Sequence, residues 1–85
     1  RAEKTNLTFF LRDIILSFKT FANEHHIGLI FNSSNEEIVA WIDRDQMEKA
    51  MFNLLSNAFK FTPDGGKVEV NLLESLEKEQ IIIRV

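Results

Sequence analysis

Three polar side chains share one side of an otherwise apolar stretch, EKAMFNLLSNAFKF, at residues 48–61. Asn53 and Asn57 lie four residues apart and Lys60 follows three residues later, which places all three on one face of a helix. An amide oxygen can coordinate a hard cation such as Mg²⁺, and its NH₂ group can donate to a phosphate oxygen. A lysine can neutralise phosphate charge. The spacing therefore suits a complex of a nucleotide with magnesium.

The same pattern is also compatible with an ordinary half-buried helix, because Asn and Lys are common on the polar face of such a helix. Against this interpretation, asparagine inside a helix is less favourable than alanine by about 0.5 kcal/mol, so two of them favour a use for the amides. Apolar residues from Met47 to Phe61 cover about 200° of the helix circumference. Asn57 lies at the border of this arc, where we expect its side chain to be partly enclosed.

Composition limits the class of protein. The chain has 85 residues, of which 45% are hydrophobic and 27% charged, and this predicts a single small globular domain. The absence of cysteine excludes a disulfide frame and a cysteine zinc site. A net charge of −3 argues against general nucleic-acid binding, which needs a basic face. No apolar run approaches the length of a membrane span, so we expect a soluble domain with no direct membrane contact.

The hydrophobic pattern of the first half predicts a short lead-in strand, a helix and two strands. Apolar residues recur at helical spacing over residues 8–26. Segments 27–32 and 37–42 have strand character and are separated by the polar turn SSNE, so we expect an antiparallel hairpin. Six phenylalanines at helical positions are expected to pack against the sheet: Phe9, Phe10, Phe18, Phe21, Phe52 and Phe59.

The second half predicts a capped helix followed by two strands. Asp43 can cap the helix, with Gln46 three residues later as in a capping box, and Pro63 ends it near Phe61 because the residue before a proline disfavours helical geometry. A PDGG turn, the alternating strand KVEVNLL, the polar turn ESLEKE and the strand QIIIRV follow. The predicted fold class is α+β, a two-layer sandwich with helices packed on one face of a mixed sheet.

The segment NLLSNAFKFT, residues 53–62, resembles the N box of histidine-kinase ATP-binding domains. These domains belong to a superfamily that also contains gyrase, heat-shock chaperone ATPases and mismatch-repair ATPases. Both asparagines, the leucines between them, the lysine and the aromatic–hydroxyl pair match in register. The resemblance extends over essentially all of residues 1–85, so we expect one partial domain, the N-terminal part of such an ATP-binding domain, with the fold predicted above.

The resemblance implies ATP and Mg²⁺ as cofactors and gives each matching residue a role. Asn57 would be the Mg²⁺ ligand, through the nucleotide, and Asn53 would assist metal and phosphate binding. Lys60 would contact the phosphates, and Phe61 would lie beside the nucleotide. In hydrolysing relatives a glutamate precedes the metal asparagine by four residues; Asn53 stands there in this chain and cannot act as a general base. Glu48 is a weak catalytic candidate, and it would otherwise be a charge near the start of the helix.

The resemblance also implies a parent protein, a two-component sensor histidine kinase. Its partners would be a helical dimerisation domain that carries the phospho-acceptor histidine and the receiver domain of a response regulator, and it would form a homodimer. The domain would be cytoplasmic and its parent an inner-membrane sensor. The family's Asp-x-Gly-x-Gly segment, lid and second glycine-rich box are not among the 85 residues, so we expect this chain alone to bind ATP weakly or not at all.

Two alternatives remain open from the sequence. An ATPase or chaperone-type member of the same superfamily would share the fold, although Asn53 in place of a glutamate argues against it. A non-catalytic α+β interaction module would have an accidental match to the N box.

Overall fold

The computed structural model describes residues 1–75 and 80–84. In this part of the chain five strands and three helices follow one another: β1 (Glu3–Asn6), α1 (Leu7–Leu16), α2 (Lys19–Glu24), β2 (Gly28–Ser33), β3 (Val39–Ile42), α3 (Arg44–Phe61), β4 (Lys67–Ser75) and β5 (Gln80–Arg84). Part of the predicted ESLEKE turn and the last residue of the predicted final strand lie outside the described residues. None of the three helices in the described part has both the length and the apolar character needed to span a membrane.

The strands form a mixed sheet and a separate ribbon. In the sheet, β4 lies between β2, to which it is parallel, and β5, to which it is antiparallel. The ribbon consists of β1 and β3, paired antiparallel. Helices pack on one face of this arrangement, which confirms the predicted α+β class.

The predicted hairpin between the second and third strands is wrong. Strand β2 pairs with β4, and β3 pairs with β1. The physical reason lies between β2 and β3, where Ile38 is completely buried and its carbonyl accepts a hydrogen bond from the Leu7 N–H at 2.7 Å. This anchor directs the chain into the ribbon next to β1 and leaves β2 to pair elsewhere.

The core lies between the helices and the inner face of the sheet. Strand β4 contributes every second residue to it, because successive side chains of a strand point to opposite faces. The buried hydrophobic residues form one cluster: Leu7, Leu11, Ile14, Ile15, Ala22, Ile27, Ile38, Met51, Leu55, Phe59, Val68, Val70 and Leu72.

The predicted first helix is two helices. The Ser17 hydroxyl and N–H both donate to the Ile14 carbonyl, and this tight three-residue bonding ends α1. After α2, His26 has a left-handed φ of 56°, and the Ile27 N–H reaches back to the Ala22 carbonyl at 2.8 Å. This is a Schellman ending, with histidine in the position that glycine usually occupies.

Phe9 does not pack against the sheet as predicted. It is 57% exposed, because it lies on the outer side of α1 while Phe10 packs at the edge of the core. Helical spacing alone does not distinguish these neighbouring positions when both are apolar.

Candidate functional site

Helix α3 presents two different rows of side chains. Met51, Leu55 and Phe59 recur at intervals of four residues and are buried in the core. Asn53 and Asn57 lie on the other side of the same helix. At about 100° per residue, these two amides and Lys60 fall within about 60° of the circumference. Since α3 is continuous from Arg44 to Phe61, the groups share one face.

The predicted partial enclosure of Asn57 is wrong. Asn53, Asn57 and Lys60 are all exposed. The reason is that the buried arc of α3 is narrower than its apolar arc. Leu54 and Phe61, which lie on the apolar side of Asn57, are themselves 49% and 77% exposed.

Phe61 completes this face at the last residue of α3. The Lys60 Nζ atom lies 5.6 Å from the centre of the Phe61 ring, within the range of a cation–π contact. In projection down the helix axis the order is Phe61, Asn57, Asn53 and Lys60. The face therefore offers an aromatic surface for a flat ring next to two amides and an ammonium that can contact anionic oxygens.

Glu48 lies apart from this face. It lines an open groove of about 640 Å³ together with Asp45, Lys49, Phe52 and Asn53. Glu48 precedes Asn57 by nine positions, which corresponds to about 180° around the helix and about 13.5 Å along it. The structure thus groups Asn53, Asn57, Lys60 and Phe61, and it separates Glu48 from all of these except Asn53.

The first turn of α3 is fixed by Asp43. Its carboxylate accepts hydrogen bonds from the Arg1 ammonium at 2.7 Å and from the Gln46 backbone N–H at 3.1 Å. These two bonds, the ammonium first, lower the pKa of Asp43 because they favour its charged form. The predicted helix cap is confirmed.

The last turn of α3 is fixed by packing of aromatic rings on one another, which was not among the features predicted from the sequence. Phe59 stacks on Phe18 with ring centres 5.5 Å apart and meets Phe21 edge to face at the same distance. Next to it, His25 Nδ1 lies 3.3 Å from Asp64 Oδ1. These contacts join α2 to the end of α3 that carries Lys60 and Phe61. The recurrence of Phe18 and Phe21 three residues apart was the available signal.

The donor set fits a cation that arrives with its own anionic ligand. Within the described part of the chain, no group of three acidic or histidine side chains is placed to hold a metal ion. Asn53 and Asn57 offer neutral amide oxygens, and phosphate oxygens of a nucleotide would supply the negative charge that a hard cation needs.

Comparison with known proteins finds sensor histidine kinases of similar sequence. The chain is 51% identical over 72 residues to the sensor histidine kinase TmoS of Ectopseudomonas mendocina, covering 85% of this chain and 7% of the relative. It is 33% identical over 72 residues to histidine kinase P4 of Formosa agariphila, covering 85% of this chain and 5% of the relative. The chain is homologous to sensor histidine kinases. It spans only a small part of these curated relatives.

Solved structures of histidine kinases share the fold of this chain. The catalytic domain of histidine kinase ThkA matches 89% of the chain with a TM-score of 0.85 and 22% identity, over 52% of that structure. The cytoplasmic segment of histidine kinase QseC matches 84% of the chain with a TM-score of 0.77 and 21% identity, over 47% of that structure. No protein-family model matches the chain.

Proposed function

We propose that this chain is the N-terminal part of the ATP-binding domain of a sensor histidine kinase. The parent protein would transfer the γ-phosphoryl group of ATP to a histidine on a helical dimerisation domain. The observation that carries the proposal is the exposed face of α3 formed by Asn53, Asn57, Lys60 and Phe61. It has the residue types that a magnesium–nucleotide complex needs, in a chain whose relatives are histidine kinases.

Each residue of the face has a distinct task in this proposal. The Asn57 amide oxygen ligates Mg²⁺, which when bound neutralises charge on the phosphates. Asn53 adds a second amide one helical turn earlier, and its NH₂ group donates to phosphate oxygen. Lys60 contributes a positive charge to the phosphates, and the exposed ring of Phe61 packs against the nucleotide.

The reaction class follows from what Asn53 lacks. An amide cannot take a proton from water, so this face has no general base at the position where a hydrolase would need one. The contribution of the chain is positioning and charge neutralisation, which are the main requirements for phosphoryl transfer to another protein group. This supports a kinase in preference to an ATPase.

The partners of the parent follow from the same proposal. A solved structure holds histidine kinase ThkA in complex with the response regulator TrrA, and it supports a receiver domain as the next phosphoryl acceptor here. The parent would act as a homodimer through its helical domain. We place this part of it in the cytoplasm and assign the parent to the inner membrane.

The test is autophosphorylation of the longer kinase that contains this segment, measured with labelled ATP and Mg²⁺. Asn57→Ala should lower the rate at least about 100-fold, which corresponds to about 2.7 kcal/mol of lost transition-state stabilisation. The matched control is Ser56→Ala, an exposed neighbour on the same helix, and it should retain activity within about twofold. Full activity of Asn57→Ala would refute the assignment.

A further inference from the structure

A second groove lies where α1 and α2 meet the edge of the sheet. It has a volume of about 410 Å³. Its lining combines apolar side chains with two cations, and the residues that matter below are Arg12, Leu16, Lys19, Leu29 and Phe31. None of them belongs to the proposed nucleotide face of α3.

Three residues of strand β2 line this groove, namely Gly28, Leu29 and Phe31, and one edge of this strand is open. Strand β2 pairs with β4 on one side, where the Gly28 N–H donates to the Gly66 carbonyl and the Ser34 N–H donates to the Leu72 carbonyl, both at 2.9 Å. Backbone groups of a strand alternate in direction, so the N–H and C=O groups of Leu29 and Phe31 point away from β4. Among the described residues no strand pairs with that side of β2. Such an edge can accept one more strand.

The charge of the groove is opposite to that of the chain. Its charged lining residues within the described part of the chain are Arg12 and Lys19, although the net charge of the chain is −3. The Arg12 guanidinium lies 5.5 Å from the ring centre of Phe9 and 5.8 Å from that of Phe31. These two rings hold the cation at the groove in a range where cation–π attraction operates.

We propose that this groove binds an extended acidic segment of a partner protein, which adds a strand to β2. The backbone of the segment would pair with Leu29 and Phe31, and its carboxylates would lie next to Arg12 and Lys19. Apolar residues at alternate positions would contact Leu16, which is 53% exposed, and would cover it.

The open edge of β2 favours an extended peptide over two other occupants of the groove. A lipid headgroup could neutralise the cations, but it offers no alternating N–H and C=O groups to pair with a strand. A second copy of the chain paired symmetrically through β2 would bring Arg12 and Lys19 of each copy toward their equivalents, and like charges oppose such pairing. An acidic peptide meets both requirements of the groove.

The first experiment uses the 85-residue chain and the capped peptide Ac-EVEVEVE-amide as the probe. Titration followed by amide NMR should give a dissociation constant below about 1 mM, with shifts at Leu29, Phe31 and Arg12. At saturation, hydrogen exchange should slow at least about tenfold for the Leu29 and Phe31 amides, which face the groove. The Ile30 and Asn32 amides face β4 and should change little. Absence of binding, or shifts confined to another surface, would overturn the proposal.

Matched probes and variants separate backbone pairing from charge. The same peptide N-methylated at alternate residues should lose binding to the unaltered chain, because it cannot form the ladder. The peptide Ac-KVKVKVK-amide should not bind. The double variant Arg12→Glu with Lys19→Glu should weaken binding of the acidic peptide at least about fivefold, whereas Lys49→Glu on α3, also an exposed cation, should not.

Three results would overturn the proposal even with binding detected. Equal affinity for the lysine peptide would remove the charge argument, and equal affinity for the N-methylated peptide would remove the strand. Concentration-dependent shifts of Leu29 and Phe31 without any peptide would show that a second copy occupies the groove instead. The peptide controls use the unaltered chain, so they remain decisive if the double variant does not fold.

Discussion

The two rows of side chains on α3 differ in what determines their identity. Met51, Leu55 and Phe59 are buried against the core, and their size and polarity are set by packing. Asn53 and Asn57 are exposed, and a helix selected only for stability would have better helix formers there. The residues that packing does not require are therefore the ones that carry information about chemistry.

The sharpest test of this contrast is a pair of leucines that are adjacent in sequence. Leu55 is 0% exposed and Leu54 is 49% exposed. Leu55→Ala should lower the free energy of unfolding by about 2–5 kcal/mol, because it leaves a cavity in the core. Urea unfolding followed by circular dichroism measures the change. Leu54→Ala should lose less than about 1 kcal/mol, and equal losses for the two variants would contradict the assignment of an inner row.

The outer row should respond in the opposite direction. Asn57→Ala should raise the free energy of unfolding of the 85-residue chain by about 0.5 kcal/mol, because alanine is the better helix former. Asn53→Ala should behave in the same way in the same urea titration.

Ser56→Ala is the control for this effect, since serine is also a weaker helix former than alanine at an exposed position. A loss of stability specific to Asn57→Ala would mean that its amide makes a structural contact, and the contrast between the rows would then fail.

The smallest expected effect is on stability at the start of α3, which belongs to neither row. This effect should depend on pH. The pKa of Asp43 lies below its ordinary value of 3.8. A carboxyl group whose pKa is lowered by folding stabilises the fold at pH values above its pKa in the unfolded chain. This contribution is lost as the pH falls through its pKa in the folded chain. The variant Asp43→Asn can still cap the helix. The unaltered chain should melt at a higher temperature than this variant, and the difference should shrink below about pH 4.

In the 85-residue chain, whose first residue carries a free amine, acetylation of the Arg1 amine sharpens this measurement. It removes the ammonium, which lowers the pKa of Asp43 more than the Gln46 N–H does. The difference in melting temperature between the unaltered chain and Asp43→Asn should then be lost over a narrower range of pH. An unchanged pH profile after acetylation would assign the shift to the Gln46 N–H alone.

Features with local signals could be predicted from the sequence. The ends of α3 follow from Asp43 at its start and from Pro63 beyond its end, because capping and proline geometry act within a few residues. The partner of β2 could not be predicted in this way. Segments β3 and β4 are both apolar strands, and which of them lies next to β2 depends on tertiary contacts such as the burial of Ile38.

The features of the candidate site also divide into those that the sequence predicts and those that it does not. The types and the common face of Asn53, Asn57 and Lys60 follow from helical spacing, which is local. The exposure of Asn57 does not, because a count of apolar residues around a helix says nothing about how much of it the neighbouring layer covers. The contact of His25 with Asp64 likewise joins distant segments, and no local pattern signals it.

The parallel pairing of β2 with β4 has a consequence for the order in which this protein can fold. The pairing joins Gly28 to Lys67 and Asn32 to Asn71, partners that are 39 residues apart. During translation, β2 is synthesised before α3, and α3 is synthesised before β4. Helix α3 can form in the interval, because helices form from local contacts on a much faster timescale. Completion of the three-stranded sheet on the nascent chain therefore waits for the residues that follow α3.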